Sequence, residues 1–497
     1  MINTGRHRGR GLAKTIDWSL VLCWLVLVLI GWANIYASVH ASEPGSIFDF
    51  ASRSGKQFVW MVTALGIASL ILFVVPARIY ESAALPIYAF VILLLIAVIF
   101  LGIEVKGSRS WFALGPIRFQ PAEISKISTS LMLATLMSQL GYRIRRWKDF
   151  IFTALIILLP MFIIIGQSET GSALVYVGFI FMLYREGLSG WLIFMVGMAI
   201  LLFIMTLTAS PYTAILTLGG IASLCICLYS GRFKWWLIIC VPLIVLFAFV
   251  PSILENMTAA VTDPETAEEA VKHSWISGIK PVYILIATMF AAIPFVAFKA
   301  FRERNSFTHL AIISAIAGIL LVFSVDFLFN EVLQDHQRKR IEVLLGMKED
   351  PSGVGYNVNQ SMIAIGSGGL TGKGYLNGTQ TTYGFVPEQS TDFIFCTIGE
   401  EWGFLGAAGL ILIYVFLIWR IISDAERSRE AFTRIYGYCV ACCIFMHLFI
   451  NIGMTIGLMP VIGIPLPFVS YGGSSLWGFT ALLFIFIALD RNERKYF

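Results

Sequence analysis

Phe393-Ile-Phe-Cys-Thr-Ile-Gly-Glu-Glu-Trp-Gly-Phe-Leu-Gly-Ala-Ala-Gly-Leu-Ile-Leu-Ile-Tyr-Val-Phe-Leu-Ile-Trp419 decides the fold class. After Glu400 and Glu401 no charge interrupts it until Arg420, and about 20 apolar residues suffice for a helix to cross a bilayer. Working outward by the same rule gives about fourteen segments. Two follow toward the C-terminus, Tyr436 to Gly457 and Ser474 to Leu489. Toward the N-terminus lie Trp18 to Val39, Gln57 to Val75, Ser82 to Gly102, Ala122 to Leu140, Phe150 to Gly166 and Ser172 to Tyr184. Between them stand Trp191 to Thr208, Tyr212 to Tyr229, Trp235 to Val250, Val282 to Phe298 and Leu310 to Phe329. The reading is an all-α, polytopic transmembrane helical bundle.

Composition agrees. At 58% hydrophobic and 13% charged residues the 497-residue chain lacks the polar surface of a soluble domain. Apolar stretches recur along its whole length, unlike a single cleavable leader. The formal charge of +5 suggests nucleic acid at first sight, but the basic residues sit in short clusters between apolar runs, as membrane topology requires. No nucleic-acid partner is expected. The eight cysteines lie almost entirely within apolar runs and read as small buried hydrophobes.

Lys and Arg collect in cytoplasmic loops. Arg6, Arg8, Arg10 and Lys14 therefore place the N-terminus inside, and strict alternation brings the Arg143–Lys148, Arg232/Lys234, Lys299–Arg304, Arg420–Arg434 and Arg491–Lys495 clusters inside as well. Two loops that fall outside carry basic residues against the rule. One holds Lys106, Arg109 and Arg118; the other, Glu331 to Thr391, holds Arg338, Lys339, Arg340, Lys348 and Lys373 among repeated glycines. Long structured loops of this kind usually carry function. The chain thus divides into a cytoplasmic tail (1–17), six helices (18–190), an expanded helical section (191–330), a large external loop (331–392), the last helices (393–490) and a second tail (491–497).

The external loops contain Lys106-Gly-Ser-Arg-Ser-Trp111, Phe119-Gln-Pro-Ala-Glu-Ile-Ser-Lys126, Asp335-His-Gln-Arg-Lys-Arg340, Asp350-Pro-Ser-Gly-Val-Gly-Tyr-Asn-Val-Asn-Gln-Ser361, Ala364-Ile-Gly-Ser-Gly-Gly-Leu-Thr-Gly-Lys-Gly374 and Pro387-Glu-Gln-Ser-Thr-Asp-Phe-Ile-Phe395. Downstream come Asn451-Ile-Gly-Met-Thr-Ile-Gly-Leu-Met-Pro460 and Gly463-Ile-Pro-Leu-Pro-Phe-Val-Ser-Tyr-Gly-Gly-Ser474. In this order the motifs resemble the family of shape, elongation, division and sporulation proteins, with the Gly463–Pro467 wording closer to its elongation branch than to its division branch. The resemblance implies a ten-helix core, so this chain carries about four additional spans, between Trp191 and Phe329. It implies a peptidoglycan glycosyltransferase for cell elongation and rod shape, joining lipid II units on the outer face of the bacterial inner membrane with release of undecaprenyl pyrophosphate. It also implies a partner, a class B penicillin-binding protein that crosslinks the new glycan, and it makes Asp392 the catalytic aspartate.

The chemistry needs a base for the acceptor hydroxyl and cations for the departing diphosphate, and the external loops contain both. By position alone Asp392 also reads as a helix cap. Arg338, Arg340 and Lys373 are the candidate diphosphate contacts, Lys373 as a point charge beside Gly372 and Gly374, which read as flexible. Arg109 is a further candidate, and Gln360 and Ser361 are assigned to the substrate. The alternative for each basic residue is a solvated loop charge. Glu123 and Lys126, three apart, share a helix face and suit a structural ion pair. Glu400 and Glu401 are costly at membrane depth and must be paired in the bundle or line a polar cavity. In Gln167-Ser-Glu-Thr-Gly-Ser172 the chain departs from the family's usual Gln-Pro-Asp-Leu-Gly-Thr, so no functional role is expected for Glu169. His447 reads as a packed, hydrogen-bonded core residue. No all-protein metal site is expected; a divalent cation, Mg²⁺ or Mn²⁺, shared by Asp392 and a substrate phosphate stays open.

Two rivals remain. A flippase for the lipid-linked precursor would show charges at mid-helix depth in inverted repeats; Asp326, Glu400 and Glu401 are the main ones, and no repeat is visible. A non-catalytic scaffold of the wall-synthesis complex would not need Asp392 and the basic loop together.

Overall fold

The computed structural model describes residues 15–495 apart from 41–44, 106–107, 115–116, 232, 262–279, 303, 305, 333–337, 339–341, 343–354 and 460. Among the described residues eleven helices are long and apolar enough to cross a membrane. The other three of the fourteen expected segments are also helical: Pro121–Met137, the stretch Thr170–Arg185, and Leu237–Ile253. Helices are the form in which an apolar chain satisfies its own backbone groups without water.

The chain forms two compact units, Met1–Ser189 with Pro351–Phe497, and Gly190–Asp350. The first contains α1 (Trp18–Val39), α2 (Arg53–Phe73), α3 (Ala77–Ser82) and α4 (Ala84–Leu101). Asp17 caps α1 by accepting from the backbone N–H of Ser19, and the Ser52 hydroxyl caps α2 by accepting from that of Gly55. A three-stranded antiparallel sheet follows, β1 (Ile103–Val105), β2 (Ser108–Leu114) and β3 (Ile117–Phe119), in the order β1-β2-β3. The external stretch holding Arg109 and Arg118, expected as a loop, thus contains a small sheet. Next come α5 (Pro121–Met137), opened by Pro121 at its first position, then α6 (Trp147–Gly166), α7 (Thr170–Val175) and α8 (Phe179–Arg185).

The second unit holds α9 (Gly190–Thr208), α10 (Pro211–Tyr229), α11 (Val241–Val261), α12 (Pro281–Arg302) and α13 (Ser306–Phe327). Met198, Leu202, Ala214, Ile215, Leu218, Leu285, Ile319 and Val322 form its core.

In the C-terminal part of the first unit, α14 (Tyr356–Ser367) and α15 (Thr379–Thr382) precede α16 (Ile394–Arg427), α17 (Ala431–Thr455) and α18 (Gly473–Lys495). Helices α17 and α18 are the centre of this unit: 83% and 72% of their apolar windows are buried, against 28% for α4. Large side chains such as Phe90, Leu93 and Phe100 on α4 are exposed, as expected of a helix whose outer face meets lipid.

Helix α16 is not one cylinder. At Gly403 the backbone turns to φ 64°, ψ −163°, and the glycine run before α15 docks into the break. Lys373 and Gly374 donate backbone N–H groups to the carbonyls of Glu400 and Glu401, at 3.0 Å each, and Phe404 and Leu405 donate to those of Gly369 and Leu370, at 2.9 and 3.1 Å. The helix ends created by the break are thereby satisfied. A Cβ on Gly372 would lie 2.1 Å from the Glu401 carbonyl oxygen, so only glycine permits this backbone-to-backbone approach.

Candidate functional site

Asp392 stands two residues before α16, half-buried, in a segment held from three sides. Glu388 turns the chain with φ 55° and accepts backbone hydrogen bonds from Thr391 and Phe393. The turn between α17 and α18 holds it from a second side. Ser470 Oγ donates to the Thr391 carbonyl at 2.6 Å, Tyr471 N to the Ser390 carbonyl at 2.9 Å, and a Cβ on Gly463 would sit 3.3 Å from Asp392 Oδ2. From the third side, Arg53 at the start of α2 donates from Nη1 to Ser390 Oγ at 2.8 Å. An exposed guanidinium is thus anchored two residues from the predicted base. Arg53 was not singled out from the sequence, because nothing local to it announces that α2 begins beside the 390–392 turn.

Below this turn lies a buried polar cluster. Lys126 Nζ is 2.8 Å from Glu123 Oε2, 2.9 Å from His447 Nε2 and 4.4 Å from the centre of the Phe479 ring. All three ionisable side chains are buried, Lys126 at 1% exposure. An ammonium so far from water requires this number of partners. His447 Nδ1 lies 3.1 Å from the Pro465 carbonyl oxygen, so the histidine is the hydrogen-bonded core residue its setting suggested.

The other predicted residues separate. Lys373 is paired: its Nζ lies 2.8 Å from both Glu400 Oε1 and Thr379 Oγ1. Gly372 and Gly374 do not serve as flexible flanks, since their backbone is docked against α16. Glu400 is fully buried and also accepts from the backbone N–H groups of Gln380 and Thr381 and from the Thr381 hydroxyl at 2.6 Å. It ties α15 to α16. Glu401 is buried beside it, with its Cγ 3.2 Å from where a Gly378 Cβ would be.

Ser361 is fully buried and donates to the Thr455 carbonyl at 2.9 Å, a packing contact between α14 and α17. Gln360, its neighbour, is half-buried. Arg109 is exposed, 3.5 Å from Glu104. Arg338 belongs to the second unit, where it lies over the Phe329 ring and 4.0 Å from Glu342. Arg340 lies outside the described residues, as do Lys106, Lys339 and Lys348.

Glu169, for which no functional role is expected, has a structural one. Ser108 and Ser110 donate to its Oε2 at 2.8 and 2.9 Å, and Gln120 donates to Oε1 at 3.0 Å. One carboxylate therefore binds the sheet and the start of α5 to the break between α6 and α7. The signal that existed was the Ser-Arg-Ser alternation of β2, which puts both hydroxyls on one face.

Among the described residues no group of three or more His, Cys, Asp or Glu side chains has metal-binding geometry. A cation at this turn would need ligands from a bound phosphate in addition to Asp392.

The chain is 31% identical over 492 residues to the peptidoglycan glycosyltransferase RodA of Treponema pallidum, covering 98% of this chain and 100% of that protein. It is 29% identical over 454 residues to the peptidoglycan glycosyltransferase MrdB of Escherichia coli K12, covering 91% and 88%. Its fold is that of a chain solved in work on structural coordination of polymerization and crosslinking by a peptidoglycan synthase complex, with TM-score 0.56, 22% identity and coverage of 96% and 98%. The crystal structure of the Thermus thermophilus rod shape determining protein RodA matches with TM-score 0.50, 21% identity and coverage of 96% and 97%. The family model for FtsW, RodA and SpoVE, described as cell cycle protein, matches residues 17–218 and 279–495, and the stretch between, 219–278, falls in the expanded section. The chain, a multi-pass membrane protein, belongs to the FtsW/RodA/SpoVE family of cell cycle proteins.

Proposed function

We propose that this protein is a peptidoglycan glycosyltransferase that polymerises lipid II and releases undecaprenyl pyrophosphate, serving cell elongation and rod shape. The observation that carries this reading is Asp392: a half-buried carboxylate on a turn fixed by α2 and by the segment before α18, with the Arg53 guanidinium anchored two residues away. Basic groups in the segment that belongs outside support an active site on the extracytoplasmic face of the inner membrane.

In the reaction the acceptor sugar hydroxyl attacks the anomeric carbon of the donor as the bond from that carbon to the lipid diphosphate breaks. Asp392 takes the hydroxyl proton, and the electron pair leaves with the diphosphate. General-base assistance of this kind is worth about 10²–10⁴-fold. Arg53 is anchored to Ser390, two residues from the base, and a guanidinium suits a diphosphate because its fork matches two oxygens at once. Arg338, Arg340, Gln360 and Arg109 remain assigned to the lipid-linked substrate. A divalent cation, Mg²⁺ or Mn²⁺, would be held by Asp392 and the diphosphate together. The partner is a class B penicillin-binding protein, in keeping with the coupling of polymerization and crosslinking described for the solved relative.

The test is polymerisation of lipid II by the purified protein with that partner, beside lipid II flipping in liposomes. The expected result is glycan strands from the wild type and a loss of about 100-fold or more in Asp392→Asn, with partner binding intact. Flipping without polymerisation would favour the transporter reading, and full polymerisation by Asp392→Asn would remove Asp392 from the chemistry.

A further inference from the structure

Helix α17 carries His447 and Asn451 one turn apart, both fully buried, and both reach the same strand of backbone. His447 Nδ1 is 3.1 Å from the Pro465 carbonyl oxygen. A carbonyl only accepts, so Nδ1 carries the proton, and Nε2 accepts from the Lys126 ammonium 2.9 Å away. The Glu123–Lys126 pair thereby fixes the ring's tautomer and plane. Asn451 Nδ2 is 2.7 Å from the Ile464 carbonyl oxygen and 2.8 Å from that of Asp392. Both of its N–H groups are used on backbone oxygens, which also fixes the orientation of the amide.

Two side chains of one helix therefore hold the consecutive carbonyls 464 and 465, and the same Asn451 amide ties that turn to the backbone of the predicted base. At Gly463, the first residue of the 463–467 turn, an added Cβ would lie 3.3 Å from Asp392 Oδ2. We propose that Asn451 is a positioning residue that sets the Asp392 carboxylate against the 463–467 turn, with His447, oriented by the Lys126–Glu123 pair, holding the turn from below. The inference rests on the reading of Asp392 as the base. Asn451 does not touch substrate; it acts through Asp392, whose side chain follows the backbone that Asn451 grips. A displacement of about 1 Å at a reacting group costs on the order of 100-fold in rate.

The experiment measures kcat and KM for lipid II polymerisation, with the partner present, for wild type, Asn451→Leu, Asn451→Gln and Asp392→Asn, with unfolding temperature recorded for each. Asn451→Leu keeps the branched heavy-atom outline and removes both donors; its kcat is expected to fall about 100-fold with KM within about threefold of wild type. Asn451→Gln keeps two N–H groups on a longer arm and is expected to recover part of that loss. Should Asn451→Leu fail to fold, the Gln variant carries the test: lowered kcat at unchanged KM supports positioning. Wild-type kcat per folded molecule in either variant, or a raised KM at unchanged kcat, overturns the proposal while an inactive Asp392→Asn leaves the base in place. An active Asp392→Asn overturns the base reading, and the positioning inference with it.

Discussion

Lys373 Nζ lies 2.8 Å from Glu400 Oε1, joining the docked glycine run to the short segment of α16 that precedes its break. Glu400 is fully buried while the Lys373 side chain keeps 27% exposure, so the lysine is the member of the pair that removal would leave most damaged in its partner. Taking away one member of a buried pair costs about 3–5 kcal/mol because the other charge is stranded; here the hydrogen bonds from Gln380 and Thr381 keep the loss near the lower figure. Lys373→Met is expected to lower the unfolding free energy in detergent by about 3 kcal/mol, and Lys373→Met with Glu400→Gln to recover most of it. A raised KM for lipid II at unchanged stability would instead return Lys373 to the diphosphate.

The break in α16 makes a sharper prediction about glycines. A Cβ at Gly372 would meet the Glu401 carbonyl oxygen at 2.1 Å, and one at Gly403 would meet the Gly372 nitrogen at 2.3 Å, while Gly366 and Gly409 have nothing within 4 Å. Gly372 and Gly403 also hold φ of 79° and 64°, which costs an L-residue about 1–2 kcal/mol before any overlap. Alanine at either position is expected to reduce the yield of folded protein severely. Gly366→Ala and Gly409→Ala, in helical and open settings, are expected to be neutral or slightly stabilising, by up to about 1 kcal/mol. Size-exclusion yield and thermal unfolding of the four variants measure this.

What the sequence made legible follows from how locally each feature is caused. The helices were readable because an apolar run carries its own reason to span. The break at Gly403 was not, because its cause is the backbone of residues 369–374, and a lone glycine in an apolar run looks like any other. The sheet escaped because Ser108, Arg109 and Ser110 read as loop polarity until Glu169, about sixty residues on, supplies the partner. Motif resemblance singles out both the half-buried Asp392 and the fully buried Ser361, since a motif names positions without saying which way a side chain faces.

Arg53 offers a test of the cation beside Asp392. A charge-assisted hydrogen bond is worth about 1.5–3 kcal/mol, so Arg53→Ala is expected to lower kcat/KM for lipid II by about 10- to 100-fold, with Arg53→Lys between it and wild type. Arg109→Ala is the comparison. Its exposed contact with Glu104 at 3.5 Å is of a kind worth about 0–1 kcal/mol, and its effect on rate is expected to stay within about threefold. Equal losses in the two alanine variants would mean that general positive charge matters and the placement of Arg53 does not.

At the opposite termini of the first unit, Asp17 binds the start of α1 to α16 and α18. It accepts from Arg420 and, at 3.2 Å, from Arg494, while Asp424 accepts from Arg420, Arg427 and Arg494 at 3.1, 2.8 and 3.2 Å. Burial alone would raise the Asp17 carboxyl, but the Ser19 hydroxyl, the contact with Asp424 and the Arg420 guanidinium together hold it well below the usual carboxylate value. A group depressed in the folded state stabilises fully above its unfolded value near 3.9 and loses that contribution as pH falls toward the folded value. Asp17→Asn is therefore expected to cost about 2 kcal/mol at pH 7. The gap to wild type is expected to shrink by about 1 kcal/mol between pH 5 and pH 3, read from denaturant unfolding in detergent at each pH. A gap that stays constant across that window would place the effect of Asp17 in its cap of α1 and not in its charge.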